Sequence, residues 1–330
     1  MTKNRRTVTL AGILGGQLVL ASLLWLSGSD HGSYAAKEPL LAFDSTKVDG
    51  IELDENATNS VALKKQDGKW IIPSMAGFPA DSAKVDGLLS KLAALKKGWP
   101  AGTTSEAEKR FKVTDDLHER RIILKSGAKT AAELLLGTSP TFRQTNARNA
   151  NESKIYSVAF ATYDAGTRGE DWMDRSSVDT QQDLIASISV NGVTIERKDA
   201  NFIIPGLAKG EKPNETAIWK LVGAVTRPAF DAVQGKGEEA LAKVKNPDID
   251  VTLKRKSGPD VILRFKQEAE GGAYLFTRSN NDFLFRVAEV SIEPIVKAKR
   301  EELVLAPKPE DGAEASSSQG EVPQPPKTGG

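Results

Sequence analysis

The chain has 330 residues and no cysteine, and its 45 lysines and arginines nearly balance its 44 aspartates and glutamates. The absence of cysteine excludes a small disulfide-stapled domain and a lipid-modified N-terminal cysteine. Because the two charge signs are interspersed, no basic face suits a nucleic-acid backbone, and we expect no nucleic-acid partner.

The first element is an uncharged, mainly apolar run over residues 8–26, which follows the basic residues Lys3, Arg5 and Arg6. A helix of this length spans about 28 Å, close to the ~30 Å hydrocarbon core of a bilayer. Basic residues stay on the cytoplasmic side, so the remaining chain would lie outside the inner membrane of a bacterium. The sequence therefore predicts a cytoplasmic N-terminus over residues 1–7, a transmembrane anchor over residues 8–26 and a linker over residues 27–47.

The apolar run leaves two alternatives open. Ser33-Tyr34-Ala35 resembles a signal-peptidase site, so a cleaved signal peptide is the alternative to a permanent anchor. Gly12 and Gly16 form a small-residue face that would let another membrane helix approach closely. Glycine is also frequent in transmembrane helices generally, so a plain anchor without a helical partner is the alternative there.

The chain then contains an internal duplication. Residues 61–73 align without a gap on residues 193–205, and both segments end in an aromatic residue, two isoleucines and a proline. Asp81 and Asn214 follow as N-cap residues of two matching helical patterns, each with one apolar face. The sequence therefore predicts repeat domain 1 (48–163), a connector (164–184), repeat domain 2 (185–296) and a polar, largely disordered tail (297–330).

Each copy has the pattern of strands, one helix and further strands. Alternating apolar residues such as Val61 and Leu63 predict half-buried strands, and Asp67-Gly68 predicts a hairpin turn. Runs of strands with one helix per copy indicate an α+β fold. The predicted fold is an N-terminal transmembrane helix followed by two tandem copies of a mainly antiparallel sheet-plus-helix domain.

Two pairs of aromatic residues fall at equivalent positions in this duplication. Trp70 corresponds to Phe202, and Trp99 corresponds to Phe230. Packing in the two cores is the favoured interpretation of both pairs, and stacking against a sugar ligand is the alternative.

No motif in the chain predicts catalysis. His118 lacks the second histidine of a zinc-binding helix and is expected on the surface, and Asp115-Asp116 is expected in a solvated turn. Residues 246–250 place oxygen ligands at alternate positions but lack the glycine and closing glutamate of a calcium loop, which favours a turn into a strand. Residues 143–148 are expected in a long loop, either solvated or in contact with a partner. We therefore expect no enzymatic activity, no cofactor and no metal.

Several family-like motifs occur together in this chain. They are the basic start with a single apolar span, the hairpin ending in Pro73, the helix entry Ala80-Asp81, the pair Leu136-Gly137 and the segment Asp171-Trp172-Met173-Asp174-Arg175. Together they resemble the family called domain of unknown function 4340, over nearly the whole chain outside the tail. Members of that family are commonly encoded beside a GldG-like auxiliary protein and the permease and ATPase of an ABC transporter. The resemblance thus implies an envelope accessory subunit with these partners, and it implies no catalytic residue.

The favoured hypothesis is a non-enzymatic, membrane-anchored accessory or scaffold subunit of an ABC-type transport or gliding-type machinery. The alternative is a glycan- or peptidoglycan-binding envelope module that acts without a transporter. An envelope hydrolase ranks third, because the sequence offers neither an activated nucleophile nor a set of metal ligands.

Overall fold

The chain divides between Ser177 and Val178 into two compact units. This computed structural model describes Gln17 and residues 38–56, 59–269 and 272–307. Each unit is built on its own antiparallel sheet.

The predicted membrane anchor lies outside the described residues, apart from Gln17. The same holds for Gly12 and Gly16, so the small-residue face stays a prediction. Within the part of the chain that the structure describes, no helix is long and apolar enough to cross a membrane.

Among its described residues, the first unit forms one sheet, two α-helices and several short 3₁₀ turns. The strands are β1 (Gly50–Glu55), β2 (Asn59–Gln66), β3 (Lys69–Ile72), β4 (Phe78–Pro79), β5 (Pro100–Gly102), β6 (Arg120–Ser126), β7 (Lys129–Leu136), β8 (Thr145–Asn149) and β9 (Ile155–Val158). The helices are α1 (Ser82–Ala94) and α2 (Ser105–Phe111). The strand order is β4-β3-β2-β1-β6-β7-β8-β9-β5, and all neighbours are antiparallel.

The second unit forms a larger and a smaller antiparallel sheet. Its strands are β10 (Ile185–Val190), β11 (Val193–Lys198), β12 (Asn201–Ile203), β13 (Lys212–Pro213), β14 (Ala232–Lys236), β15 (Ile249–Arg255), β16 (Val261–Gln267), β17 (Ala273–Arg278), β18 (Phe283–Ala288) and β19 (Val304–Leu305). Its helices are α3 (Glu215–Thr226), α4 (Glu238–Ala242), α5 (Glu293–Val296) and α6 (Arg300–Leu303). The large sheet has the order β12-β11-β10-β15-β16-β17-β18-β14, and β13 pairs with β19.

The two large sheets share one strand order. Strands β1–β3 correspond to β10–β12, β5 corresponds to β14, and β6–β9 correspond to β15–β18; β4 belongs to the first sheet alone. Trp70 on β3 and Phe202 on β12 are both buried, as the sequence predicted. The structure confirms the predicted α+β class with two antiparallel sheets.

The hairpin between β2 and β3 follows the sequence signal directly. Asp67 and Gly68 have φ angles of 50° and 79°, the left-handed conformation that a two-residue type I′ turn requires of both residues. Val61 and Leu63 on β2 are buried, and the residues between and after them are exposed. The turn thus fixes the register that turns the apolar side of β2 inward.

One long helix in each unit packs its apolar face inward. The side chain of Asp81 accepts a hydrogen bond from the Lys84 N–H at 3.0 Å and caps α1. The side chain of Asn214 caps α3 in the same way, through the Ala217 N–H at 3.3 Å. The buried faces comprise Val85, Leu88, Leu89 and Leu92 on α1, and Ile218, Leu221, Val222 and Val225 on α3. Burying each such side chain stabilises the fold by about 1.5–3 kcal/mol.

Segments from outside the sheet hold both ends of α1. The Leu40 N–H, ahead of β1, donates to the Leu95 carbonyl at the C-terminal end of α1 at 2.9 Å. The Trp172 carbonyl, well after β9, accepts from the N–H of the N-cap residue Asp81 at 2.8 Å. Helix ends carry backbone groups without partners inside the helix, and these contacts satisfy one at each end. We call this arrangement the helix clasp.

The second unit repeats the helix clasp on α3. The Thr180 N–H donates to the Thr226 carbonyl at 2.7 Å, and the Asn214 N–H donates to the Leu303 carbonyl at 2.8 Å. Residues 164–177 therefore lie in the first unit and residues 178–184 in the second, although the sequence assigned both to one connector.

A polar side chain of the sheet also holds the first segment of each unit. Asn149 on β8 donates through Nδ2 to the Leu40 carbonyl at 3.2 Å. Its counterpart Arg278 on β17 donates through Nη2 to Oγ1 of Thr180 at 2.6 Å. Arg278 is almost fully buried, and burial lowers its pKa to about 10, while the charge of Asp179 acts in the opposite direction.

The start of the predicted polar tail is structured. Ala298 and Leu303 are buried, and residues 300–305 form α6 and β19. The sequence did not predict this structure, because the few apolar residues of this segment lie among lysines, arginines and glutamates. The burial of Leu303 holds the segment whose carbonyl binds the Asn214 N–H in the clasp on α3. Residues 308–330 lie outside the described residues.

Trp70→Ala should lower the free energy of unfolding by about 3–5 kcal/mol, because it removes a large buried side chain. Trp99→Ala is the matched control, since Trp99 is 75% exposed, and it should change the free energy by less than about 0.5 kcal/mol. Chemical denaturation of both variants measures the difference. A loss below about 1 kcal/mol for Trp70→Ala would contradict its role in the core.

Candidate functional site

The connection between β7 and β8 presents two side chains to solvent. The Gln144 N–H donates to the Thr141 carbonyl at 3.1 Å, which makes Phe142 and Arg143 the central residues of a tight turn. Arg143 has a φ angle of 58°, as the third residue of a type II turn requires. This conformation is unfavourable for a residue with a side chain, and such strain is concentrated at functional sites.

The base of this connection is fixed against α2. The Gly137 N–H donates to the Asn146 carbonyl at 2.8 Å, and the Thr138 N–H donates to the Phe111 carbonyl at 2.9 Å. A Cβ atom on Gly137 would lie 1.9 Å from that same Phe111 oxygen. Only glycine fits at this contact, which explains one residue of the Leu136-Gly137 motif physically.

Phe142 is 81% exposed, and the guanidinium carbon of Arg143 lies 5.1 Å from the centre of its ring. This is a cation–π distance, and at an exposed site such a contact stabilises by about 0.5–1 kcal/mol. The pair thus presents a flat apolar surface together with a positive charge.

Tyr163 lies close to this pair, in the 3₁₀ turn Thr162–Asp164 that follows β9, and is 62% exposed. The neighbouring Asp164 carboxylate forms an ion pair with Nζ of Lys91 at 2.7 Å. Both residues border a groove of about 500 Å³, lined by Lys91, Arg143, Ala159, Phe160, Ala161, Tyr163 and Asp164. We call it the aromatic groove, because Arg143 also stacks on Phe142 and so joins both exposed rings to one surface.

Trp99 belongs to the same end of the sheet. Pro100 pairs with Tyr156, so Trp99 lies beside the C-terminal end of β9, from which the chain continues to Tyr163. The sequence predicted Trp99 in the core, and this was wrong. Its expected counterpart Phe230 is buried, but the strand pairing shows that the two residues do not correspond.

The mismatch follows from the register of the two edge strands. Pro100 on β5 pairs with Tyr156 on β9. Val233 on β14 pairs with Phe285 on β18, which is the counterpart of Tyr156, so Pro100 corresponds to Val233. The residue that corresponds to Trp99 is therefore Ala232.

The sequence also predicted His118 on the surface, and this too was wrong. His118 is buried, and its Nε2 lies 2.7 Å from Oδ1 of Asp54. Its Nδ1 lies 3.3 Å from the Thr114 carbonyl, and its backbone N–H donates to Oδ1 of Asn56 at 2.9 Å. Asp54 and Asn56 come from β1 and the loop that follows, which sequence spacing does not reveal, whereas Thr114 lies in the same turn as His118. His118 thus fastens a turn to the sheet and does not line the aromatic groove.

Residues 143–148 are not a single long loop, because β8 begins at Thr145. Arg148 is buried on this strand, where its Nε donates to the Val113 carbonyl at 2.7 Å and its Nη2 to Asp115 at 3.0 Å. Only Arg143, outside the strand, reaches the aromatic groove.

The predicted turn ahead of β15 is confirmed, since β15 begins at Ile249. The Asp248 carboxylate accepts from the Gln267 N–H at 2.8 Å and from Nζ of Lys266 at 2.9 Å. These two contacts lower the pKa of Asp248 below its usual value. Among the described residues, no group of three or more histidines, cysteines, aspartates or glutamates is placed to hold a metal ion.

The sequence analysis missed Phe142 and Tyr163. Residues 137–144 contain Gly137, Pro140 and several small polar residues, which is typical of a connection between strands. A large aromatic residue in such a connection is the signal that could have identified Phe142.

A family model described as domain of unknown function (DUF4340) matches residues 70–247, more than half of the chain. The match begins at Trp70 and covers most of the first unit and the first half of the second. No curated protein and no solved structure matches the chain.

Tyr163→Ala should change the free energy of unfolding by less than about 0.5 kcal/mol, because its side chain is mostly exposed. Phe142→Ala should cost no more than about 1 kcal/mol, because it removes only an exposed contact with Arg143. Gly137→Ala should cost about 2 kcal/mol or more, because its new methyl group would collide with the backbone of Phe111. Urea denaturation compares the three variants. A cost above about 1 kcal/mol for Phe142→Ala would mean that the ring serves the fold.

Proposed function

The chain belongs to the DUF4340 family, and on this premise we propose that it is a non-enzymatic accessory subunit of an ABC-type transport or gliding-type machinery. In this proposal residues 8–26 anchor it in the inner membrane of a bacterium, and both units lie on the extracytoplasmic side. Its partners are the permease and ATPase subunits and a GldG-like auxiliary protein. The aromatic groove is the observation that carries the proposal.

The composition of the groove supports a protein partner. Tyrosine, phenylalanine and arginine are enriched at protein interfaces, where they contribute much of the binding energy. Arg143 and Tyr163 line the groove, and Phe142 lies beside it in contact with Arg143. The unfavourable backbone of Arg143 is a cost that presentation of Phe142 to a partner would explain.

The shared strand order of the two units supports a tandem duplication of one domain. The copies differ at the end of the sheet where the groove lies. The first unit exposes Trp99, Phe142 and Tyr163 there, whereas the residue corresponding to Trp99 is Ala232 in the second. A scaffold in which one copy has acquired a binding surface accounts for this difference.

Exposed rings beside charged side chains also suit a sugar ligand, because the apolar face of a sugar stacks on an aromatic ring. A glycan- or peptidoglycan-binding module is therefore the second candidate function. Phe142 and Tyr163 would supply the stacking surfaces, and Lys91, Arg143 and Asp164 would bind hydroxyl groups. Retention of the protein on purified cell-wall polymer, lost in Phe142→Ala, would favour this candidate.

Affinity purification from native membranes, followed by mass spectrometry, tests the leading proposal. Wild-type protein should recover the permease and ATPase, and Phe142→Ala combined with Tyr163→Ala should reduce that recovery about tenfold or more, as loss of two interface anchors does. Val290→Ala is the matched control, since Val290 is an exposed apolar residue of the second unit. Absence of transporter subunits from the wild-type sample, in detergents that preserve such complexes, would contradict the proposal.

A second test concerns the predicted membrane helix. Gly12→Leu combined with Gly16→Leu should leave the protein inserted, because leucine favours the bilayer, but should weaken recovery of the permease by blocking close helix approach. Leu14→Ile is the control, because residue 14 falls on the opposite side of a helix. Carbonate extraction checks insertion in both cases. Unchanged recovery would mean that the extracytoplasmic units alone carry the association.

A further inference from the structure

One buried arginine of the first unit binds three main-chain carbonyls at once. Arg148 on β8 donates through Nε to the Val113 carbonyl at 2.7 Å. Its Nη1 donates to the carbonyls of Ala150 and Glu152, both at 3.2 Å. Its Nη2 donates to Asp115 at 3.0 Å, but that carboxylate is 78% exposed. The three carbonyls therefore form the enclosed part of a guanidinium site, between the loop after α2 and the hairpin that joins β8 to β9.

The second unit has a threonine at the position of this arginine. Asn149 and Arg278 occupy matching positions on β8 and β17. The residues that precede them, Arg148 and Thr277, therefore correspond to each other. The threonine side chain is much shorter than that of arginine, and its hydroxyl group is a single donor. Thr277 thus cannot bind three carbonyls as Arg148 does.

The hairpin that follows has the same turn in both units. The Glu152 N–H closes this turn in the first unit at 2.9 Å, and the Asn281 N–H closes it in the second at 3.4 Å. Each donates to the carbonyl of the last residue of the preceding strand. Ser279, two residues before Asn281, therefore corresponds to Ala150. The two hairpin carbonyls that bind Arg148 thus have counterparts in the second unit.

The loop after the short helix matches as well. The pair Lys112-Val113 of the first unit recurs as Lys243-Val244. Val113 belongs to a buried cluster with Ile155 on β9. Val244 belongs to a buried cluster with Leu284, the residue of β18 that corresponds to Ile155. The Val244 carbonyl therefore corresponds to the third carbonyl of the guanidinium site, that of Val113.

A groove of about 750 Å³ lies where the first unit holds its arginine, and we call it the carbonyl groove. It is lined in part by Val244, Thr277, Ser279 and Asn281. In the described part of the chain, none of the carbonyls of Val244, Ser279 and Asn281 accepts a main-chain hydrogen bond. Val113 and Val244 are both buried, so burial of this valine does not keep an arginine side chain from its carbonyl.

The charges of the carbonyl groove are close to balance. Its lining includes three acidic and two basic residues, Glu238, Lys245, Asp250, Arg264 and Asp282. Arg264 forms an ion pair with Asp250 at 3.5 Å. Lys236, outside the groove, forms one with Asp282 at 3.8 Å. Net charge therefore selects neither cations nor anions, and the carbonyls determine the ligand. Three acceptors without a donor suit a planar guanidinium, which carries several N–H groups in a fixed arrangement.

We propose that the carbonyl groove binds an arginine side chain of a partner protein, in the way that the first unit binds its own Arg148. The guanidinium donates to the carbonyls of Val244, Ser279 and Asn281. The aliphatic part of the side chain packs on Leu241, which also lines the groove. Hydrogen bonds from a charged donor are stronger than neutral ones, so three of them make a specific contact. This inference concerns the second unit and does not depend on which complex the protein joins.

The arginine comes from another molecule. Residues 27–37, 57–58, 270–271 and 308–330, which follow the predicted anchor and lie outside the described residues, contain no arginine. The groove also has room for the residues that flank an arginine, since its volume exceeds that of one side chain. A segment of a partner protein therefore fits the groove better than a free guanidinium compound does.

A capped tripeptide with arginine between two glycines is the probe. Isothermal titration calorimetry with the full-length chain in detergent should show saturable binding. The same tripeptide with lysine, or with citrulline, which has the shape of arginine without its charge, should bind about tenfold more weakly. Absence of saturable binding, or equal binding of the three tripeptides, would overturn the proposal. This comparison uses the wild-type chain and so does not depend on the folding of any variant.

A variant of the chain locates the binding. Thr277→Arg supplies the guanidinium from the chain itself, as Arg148 does, and should reduce binding of the arginine tripeptide about tenfold or more. Thr252→Arg is the matched control, because Thr252 shares a face of the sheet with Asp250 but does not line the groove, and binding should be unchanged. Equal binding by the two variants would contradict the proposal. Self-association of the wild-type chain in analytical ultracentrifugation that Thr277→Arg abolishes would also contradict it, because a second copy would then occupy the groove.

Discussion

The helix clasp is the constraint on which each unit depends. A helix such as α1 buries one apolar face, but it also leaves backbone groups at both ends that need partners. Leu40 supplies a donor at the C-terminal end of α1, and Trp172 supplies an acceptor at its N-terminal end. Leu40 precedes all strands of the sheet in the chain, and Trp172 follows all of them. The first and last segments of the unit therefore meet the same helix, which lies between them in the sequence.

Much of this fold could be predicted from the sequence, because its signals are local. The helix spacing from Val85 to Leu92 and the turn at Asp67-Gly68 are properties of neighbouring residues. The burial of His118 and the strand at Thr145–Asn149 could not be predicted, since both depend on distant partners. The polar residues of β8 show none of the apolar alternation that predicts a strand. They are stable in the sheet because specific groups form hydrogen bonds with them, as the Phe160 carbonyl does with Oγ1 of Thr145. Exposure of Phe142 likewise depends on a turn that α2 holds in place.

The two copies show how one topology can carry different surfaces. The first unit covers its β3 edge with its own chain and places exposed rings at the end of β9. The second unit has β12 at the end of its sheet and places the partly exposed Trp219 against Phe202 on that strand. A fold does not determine a function, and residues grafted on its loops and edges do. The shared core thus gives both copies the same stability requirements, while their surfaces are free to specialise.

The helix clasp has a mechanical consequence. In the first unit the segment before β1 binds one end of α1 through Leu40, and the segment after β9 binds the other end through Trp172. Tension applied between these two segments would therefore run along the axis of α1 and load hydrogen bonds at both ends at once. The two ends of α1 would thus be the first points in the first unit to lose a backbone partner under load.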